Sequence, residues 1–214
     1  MNSAISSTLF LAIVGTVVLL TMIFLMMWNA SRSEWNRASS MNEMPYGLVR
    51  DITFCHAVKP VRKSIDPNSG YIIPDYYWAV FTRAVNFATS RTQKVLLTMG
   101  KVFVDCVYNV SQIYFMAYCR RNRIPEGQCH HFVLGREDRA VTVVDEVREA
   151  GVLIFELGYR RVDVFCQAPC ILRFRNIWLT HGPKNVEVVF HPVPVGLKYW
   201  IIETFVVMGS LFRR

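Results

Sequence analysis

Residues 9–28 read LFLAIVGTVVLLTMIFLMMW, an uncharged apolar run diluted only by Gly15, Thr16 and Thr21. Wound as a helix at about 1.5 Å per residue, such a run extends roughly 30 Å, the thickness of a bilayer's hydrocarbon. A segment of this kind serves either as a membrane span or as a cleaved leader. A leader carries a shorter apolar core, about 7–15 residues, behind a basic stretch. The preceding MNSAISST contains neither Lys nor Arg. Residues 1–8 are therefore expected to be a polar segment and residues 9–28 a retained, single transmembrane helix. Trp28 and Trp35 fall where interfacial aromatics belong. Arg32 and Arg37 lie beyond the run and no side-chain cation lies before it, which directs the following domain to a cytoplasm-like or matrix-like side.

Residues 29–44 are polar, without a sustained apolar stripe, and are expected to be a tether or a frayed continuation of the helix. Residues 45–214 are long enough for one folded domain. With 52% hydrophobic and 19% charged residues in the chain, disorder of the bulk is excluded. From Asp75 one stripe of residues, apolar except for Thr92, recurs every three or four positions through Phe81, Val85, Ala88, Thr92, Val95, Met99, Val102, Cys106, Val110, Ile113 and Ala117. This periodicity predicts an amphipathic helical segment over residues 75–121, in one piece or broken near Ser90 or Gly100. Lys101 and Asp105 argue against a second membrane span there, since each would cost several kcal/mol in hydrocarbon.

Farther on, short runs rich in Val, Ile and Phe at residues 140–144, 152–157, 162–166, 171–179 and 186–190 are separated by turn formers. They predict a β-rich half over residues 132–214, an antiparallel sheet or small β-sandwich. The expected fold class is thus α+β: an anchor helix, an amphipathic helical segment and then antiparallel strands. Residues 197–212 fit either a last strand or a helix on the membrane surface.

No nucleophile elbow, zinc-protease motif or phosphate-cradling loop occurs in the sequence, so no catalytic role, cofactor or metal is expected. Cys129, His130, His131, Cys166 and Cys170 are zinc-compatible types, but their spacing is not that of a zinc site. Among the six cysteines, Cys119 and Cys129 are the candidate disulfide or thiol pair, closing a loop over Pro125-Glu126-Gly127. The sequons at Asn29 and Asn109 sit against the membrane end and on an expected helix, poor places for a glycan.

The net charge of +8 favours acidic partners. Arg120, Arg121, Arg123, Arg173 and Arg175 are the candidate contacts to anionic phospholipids or acidic neighbouring subunits. Nucleic acid is not expected, because aromatics are not interleaved with the cations. The sequence is best read as a non-catalytic structural or accessory subunit of a multi-subunit membrane complex, in an organellar inner membrane such as that of a mitochondrion. The alternative is a type II surface or lumenal protein, cellular or viral, whose disulfide-braced β domain binds a partner or receptor.

Overall fold

The structure, a computed structural model, describes residues 2–42, 51–55, 61–62, 71–72, 75–90, 94–99, 129–133 and 142–211. The apolar run lies inside one long helix, α1 (Asn2–Asn42). Among the described residues it is the helix long and apolar enough to cross a membrane. Residues 29–42, read as a tether or a frayed continuation of the helix, continue it and dock on the domain. Ile23, Met27, Ser31, Glu34 and Ala38 are buried, and their spacing of three or four residues marks one face of a helix. Most positions between them stay exposed, so the sequence looked polar overall while keeping a narrow docking stripe.

Behind α1 the chain forms β1 (Asp51–Cys55), β2 (Val61–Arg62), β3 (Tyr71–Ile72), α2 (Asp75–Ser90), β4 (Lys94–Met99) and β5 (Cys129–Val133). It then continues through α3 (Val143–Glu156), β6 (Arg161–Gln167), a 3-10 turn (Ala168–Cys170), α4 (Ile171–His181), β7 (Glu187–Val193) and α5 (Leu197–Leu211). Five strands make one sheet in the order β5-β4-β1-β6-β7, and every neighbouring pair in it is parallel. β2 and β3 pair antiparallel as a separate short ladder.

The expectation of an antiparallel sheet or sandwich is therefore corrected. Helices stand between successive strands on the described stretches, and a chain returning through a helix enters its next strand in the same direction. Residues 152–157 and 171–179, expected as strands, close α3 and fill α4. A short apolar run fits either period, and only its length and neighbours decide. Conversely, β4 replaces part of the expected helix over residues 75–121. KVLLTM is the nearly continuous apolar run typical of an interior parallel strand, and β4 is flanked by β1 and β5. The rest of that expected helix, residues 100–121, lies outside the described residues.

One face of the sheet carries the main core. Val147, Ala150 and Ile154 of α3, Ile171, Phe174 and Trp178 of α4, and Val162, Val164 and Cys166 of β6 pack together with Phe190 of β7. α2 covers the other face through Val80 and Ala84. α3 starts where Thr142 and Asp145 cap each other reciprocally, so Asp145 and Glu146 stand in the first turn of a helix. It ends at Gly158, whose φ of 71° lies in the left-handed region that favours glycine. Gly182 ends α4 for a different reason: a Cβ there would stand 2.5 Å from the Trp178 carbonyl oxygen and 3.0 Å from its ring. Gly182→Ala is expected to displace the core tryptophan and cost about 1–3 kcal/mol in urea unfolding. Gly196→Ala, which meets nothing within 4 Å, should stay within about 0.5 kcal/mol.

Candidate functional site at the carboxyl end of the sheet

The strand order reverses between β1 and β6: the chain moves from β1 outward to β4 and β5, and from β6 outward to β7. In open parallel sheets the crevice beyond the carboxyl ends at such a reversal is the place where ligands bind. On the β6 side this place is built by the end of β6, the 3-10 turn and the first turn of α4, which present Gln167, Cys170 and Arg173 respectively.

Those side chains meet a carboxylate from the chain itself. Arg173 donates from Nε to Glu203 Oε1 at 2.6 Å and from Nη2 to Oε2 at 3.1 Å, the two-pronged geometry that suits a guanidinium. The Cys170 thiol donates to Glu203 Oε2 at 3.5 Å, and Gln167 Oε1 stands 3.7 Å from the same sulfur. Burial pushes the Cys170 thiol up, and the Glu203 charge adds to this. It is therefore held as a neutral thiol, and nucleophilic sulfur chemistry needs the thiolate. Burial alone would lower Arg173, but its bonds to Glu203 and the Glu203 charge outweigh that and raise it.

A second polar cluster lies on the opposite face, under α2. His191 of β7 is hydrogen-bonded through Nε2 to Asp163 Oδ1 of β6 at 2.7 Å, and Arg161 Nη2 donates to the same oxygen at 3.0 Å. The His191 ring stacks on Phe165, with centroids 4.5 Å apart, and tilts against Phe87 at 4.6 Å. Burial pushes the Asp163 carboxyl up, but the His191 hydrogen bond and charge, together with Arg161, more than reverse this and hold it below the ordinary carboxylate range. The cluster ties β6 to β7 through side chains. Its carboxylate is fully covered, with Asp163 at 0% exposure.

Comparison with protein-family models, with curated proteins and with solved structures found no match.

The residues singled out in the sequence are dispersed by the fold. Arg173 is engaged by Glu203, and Arg175 reaches Glu34 of α1 at 3.3 Å, so both of these cations hold an acid within the chain. Arg120, Arg121, Arg123 and Cys119 lie outside the described residues, while Cys129 opens β5. Trp28 is half exposed and packs against Trp200 with ring centroids 5.4 Å apart. Trp35 has the Arg83 guanidinium 6.0 Å from its ring centroid.

A shared zinc site for the Cys129-His130-His131 group and Cys166 with Cys170 is ruled out by topology. β4 and β1 stand between β5 and β6, a separation of roughly 14 Å at ordinary strand spacing. Among the described residues no group of three or more metal-ligating side chains forms, and Cys166 and Cys170 are buried and in no disulfide. Sequence reasoning missed Glu203, Asp163 and His191. Their signal was weak but present: a lone acid inside the apolar run of residues 197–212, and an Asp within the strand VDVFC.

Proposed function

We propose that the chain is a non-catalytic structural or accessory subunit of a multi-subunit membrane assembly, with neighbouring subunits and anionic phospholipids as its partners. The observation that carries the reading is the seating of α1. Its C-terminal half is bolted to the domain through Ile23, Met27, Ser31, Glu34 and Ala38, while Leu9, Phe10, Leu11, Ile13, Val17 and Val18 are more than half exposed. A rigid domain with a long bare apolar mast fits a part that holds position among other membrane components. The self-contained Arg173–Glu203 pair supports the same reading, since the polar groups at the carboxyl end of β6 are matched within the chain. The basic balance suits an anionic inner membrane such as the mitochondrial one.

Extraction in mild detergent followed by native electrophoresis and mass determination is the test. Co-migration with other proteins in a particle far above 24.7 kDa, recovered from the inner-membrane fraction, is expected. A lone protomer would overturn the reading. The lumenal alternative is less well supported: with Cys166 and Cys170 buried and in no disulfide, at most two disulfides remain for the six cysteines.

One observation favours a second reading, a ligand-binding domain at the membrane surface. The reversal of strand order between β1 and β6 is the feature that creates a crevice in such sheets, although fold alone does not specify function. Thermal shift of the detergent-solubilised chain against a panel of phosphorylated small molecules distinguishes the two. A saturable rise in Tm favours the second reading, and no shift favours the first.

A further inference from the structure

The last described helix has its polarity inside out. In α5, Trp200, Glu203 and Thr204 are buried, and Val207 and Met208 are partly buried against α1. Leu197, Ile201, Ile202, Phe205 and Val206 point outward, between 44% and 65% exposed. A helix lying on a domain in water turns its apolar stripe inward and its charges outward. Here the acid faces in, where Arg173 matches it, and the outer face is aliphatic and aromatic.

The neighbour of α5 identifies the surroundings of that outer face. Trp200 packs on Phe24 and Trp28, with ring centroids 5.5 and 5.4 Å apart, whereas Val207 and Met208 belong to the cluster that includes Leu19 and Ile23. α5 thus lies beside residues 19–28, the domain-side half of the apolar run. Its first turn carries Lys198 and Tyr199, with the ammonium 4.8 Å from the ring centroid. Beside Trp28 and Trp200, these make the mixed cationic and aromatic belt found where a helix passes the headgroups. At 15 residues α5 reaches roughly 22 Å, short of a full crossing.

We propose that α5 is a second membrane-inserted element, a half-depth helix whose face of Ile201, Ile202, Phe205 and Val206 contacts the acyl chains of the bilayer that α1 crosses. The proposal rests on α1 spanning a membrane, and goes beyond the subunit reading because it assigns lipid to a part of the folded domain. Glu203 can enter hydrocarbon because Arg173 travels with it as a two-pronged partner on the protein side. An intramembrane acid is tolerated where it faces protein and is paired.

The test is site-specific photo-crosslinking of the full chain in vesicles of phosphatidylcholine and phosphatidylglycerol. Benzoylphenylalanine is placed singly at Ile202, Phe205, Val17 or Leu179. Lipid adducts at Val17, Ile202 and Phe205, with none at the exposed α4 position Leu179, are the expected result. Adducts at Val17 alone would overturn the proposal while leaving the anchor intact. Loss of the adduct at Val17 as well would overturn both. Protein adducts in place of lipid at Ile202 and Phe205 would show that another polypeptide covers this face, and would overturn the proposal too.

Discussion

Arg173→Leu is expected to destabilise the domain by about 3–5 kcal/mol, because it strands Glu203 as an unpaired charge at 5% exposure. Removing both charges should hurt far less. In the double variant Arg173→Leu/Glu203→Leu no buried ion is left unmatched, and most of the lost stability should return, since a buried pair contributes little beyond what apolar residues of similar size supply. Urea unfolding in detergent, read by tryptophan fluorescence, compares the parent chain with the single and the double variant. Equal losses in the single and double variants would mean that the pair stabilises by packing and not by charge matching.

Asp163→Ala should be as costly, about 3–5 kcal/mol, because one Asp163 oxygen serves both His191 and Arg161 in a covered site. Asp163→Asn keeps the shape and an acceptor and should lose less. The two are separable by pH. The Asp163 carboxyl is held below its unfolded value, so its stabilisation is present in full above about pH 4, the unfolded carboxylate value. It is lost as the pH falls through the lower folded value. The stability gap between the parent chain and Asp163→Asn should accordingly shrink on acidification below about pH 4. A gap that widened in acid would contradict the assignment of the negative charge to Asp163.

Several elements could be read in the sequence because their local pattern has one physical solution. The run over residues 9–28 admits only a long apolar helix. β6 alternates Val162, Val164 and Cys166 against Asp163 and Phe165, and the fold places the first three in one core cluster. The start of α2 at Asp75 coincides with the first residue of the predicted helical segment. The direction of the strands was illegible because it depends on what connects them. The connecting helices were concealed in runs such as Val152-Leu153-Ile154-Phe155, of which only Ile154 is buried and Val152 and Phe155 are exposed. Hydrophobicity there marks the helix end and not a buried strand.

The polar clusters were illegible for a related reason. Glu203 and Arg173 are separated by a whole strand, and Asp163 and His191 by a helix. No spacing rule connects either pair until β6 and β7 lie side by side in register, with Phe165 opposite His191. The docking stripe on α1 was hidden by the same logic. Ser31, Glu34 and Ala38 look unremarkable in a polar segment, and only the sheet beneath them gives their spacing a meaning.

The way α1 crosses the domain has a geometric consequence. Its Ile23 and Met27 sit against Ala168 at the carboxyl end of β6, and Arg37 shares a cleft with Val186 and Glu187 at the amino end of β7. With residues 9–28 across a bilayer, the strands hang carboxyl end first towards the headgroups. The cavity of about 740 Å³ rimmed by Arg148, Arg160, His181 and Lys184 at the other end looks away, into bulk water. In that setting a group moving in the plane of the lipids would meet one pole of the sheet, and a solute diffusing in three dimensions would meet the opposite pole, where Arg148, Arg160 and Lys184 stand with Glu156.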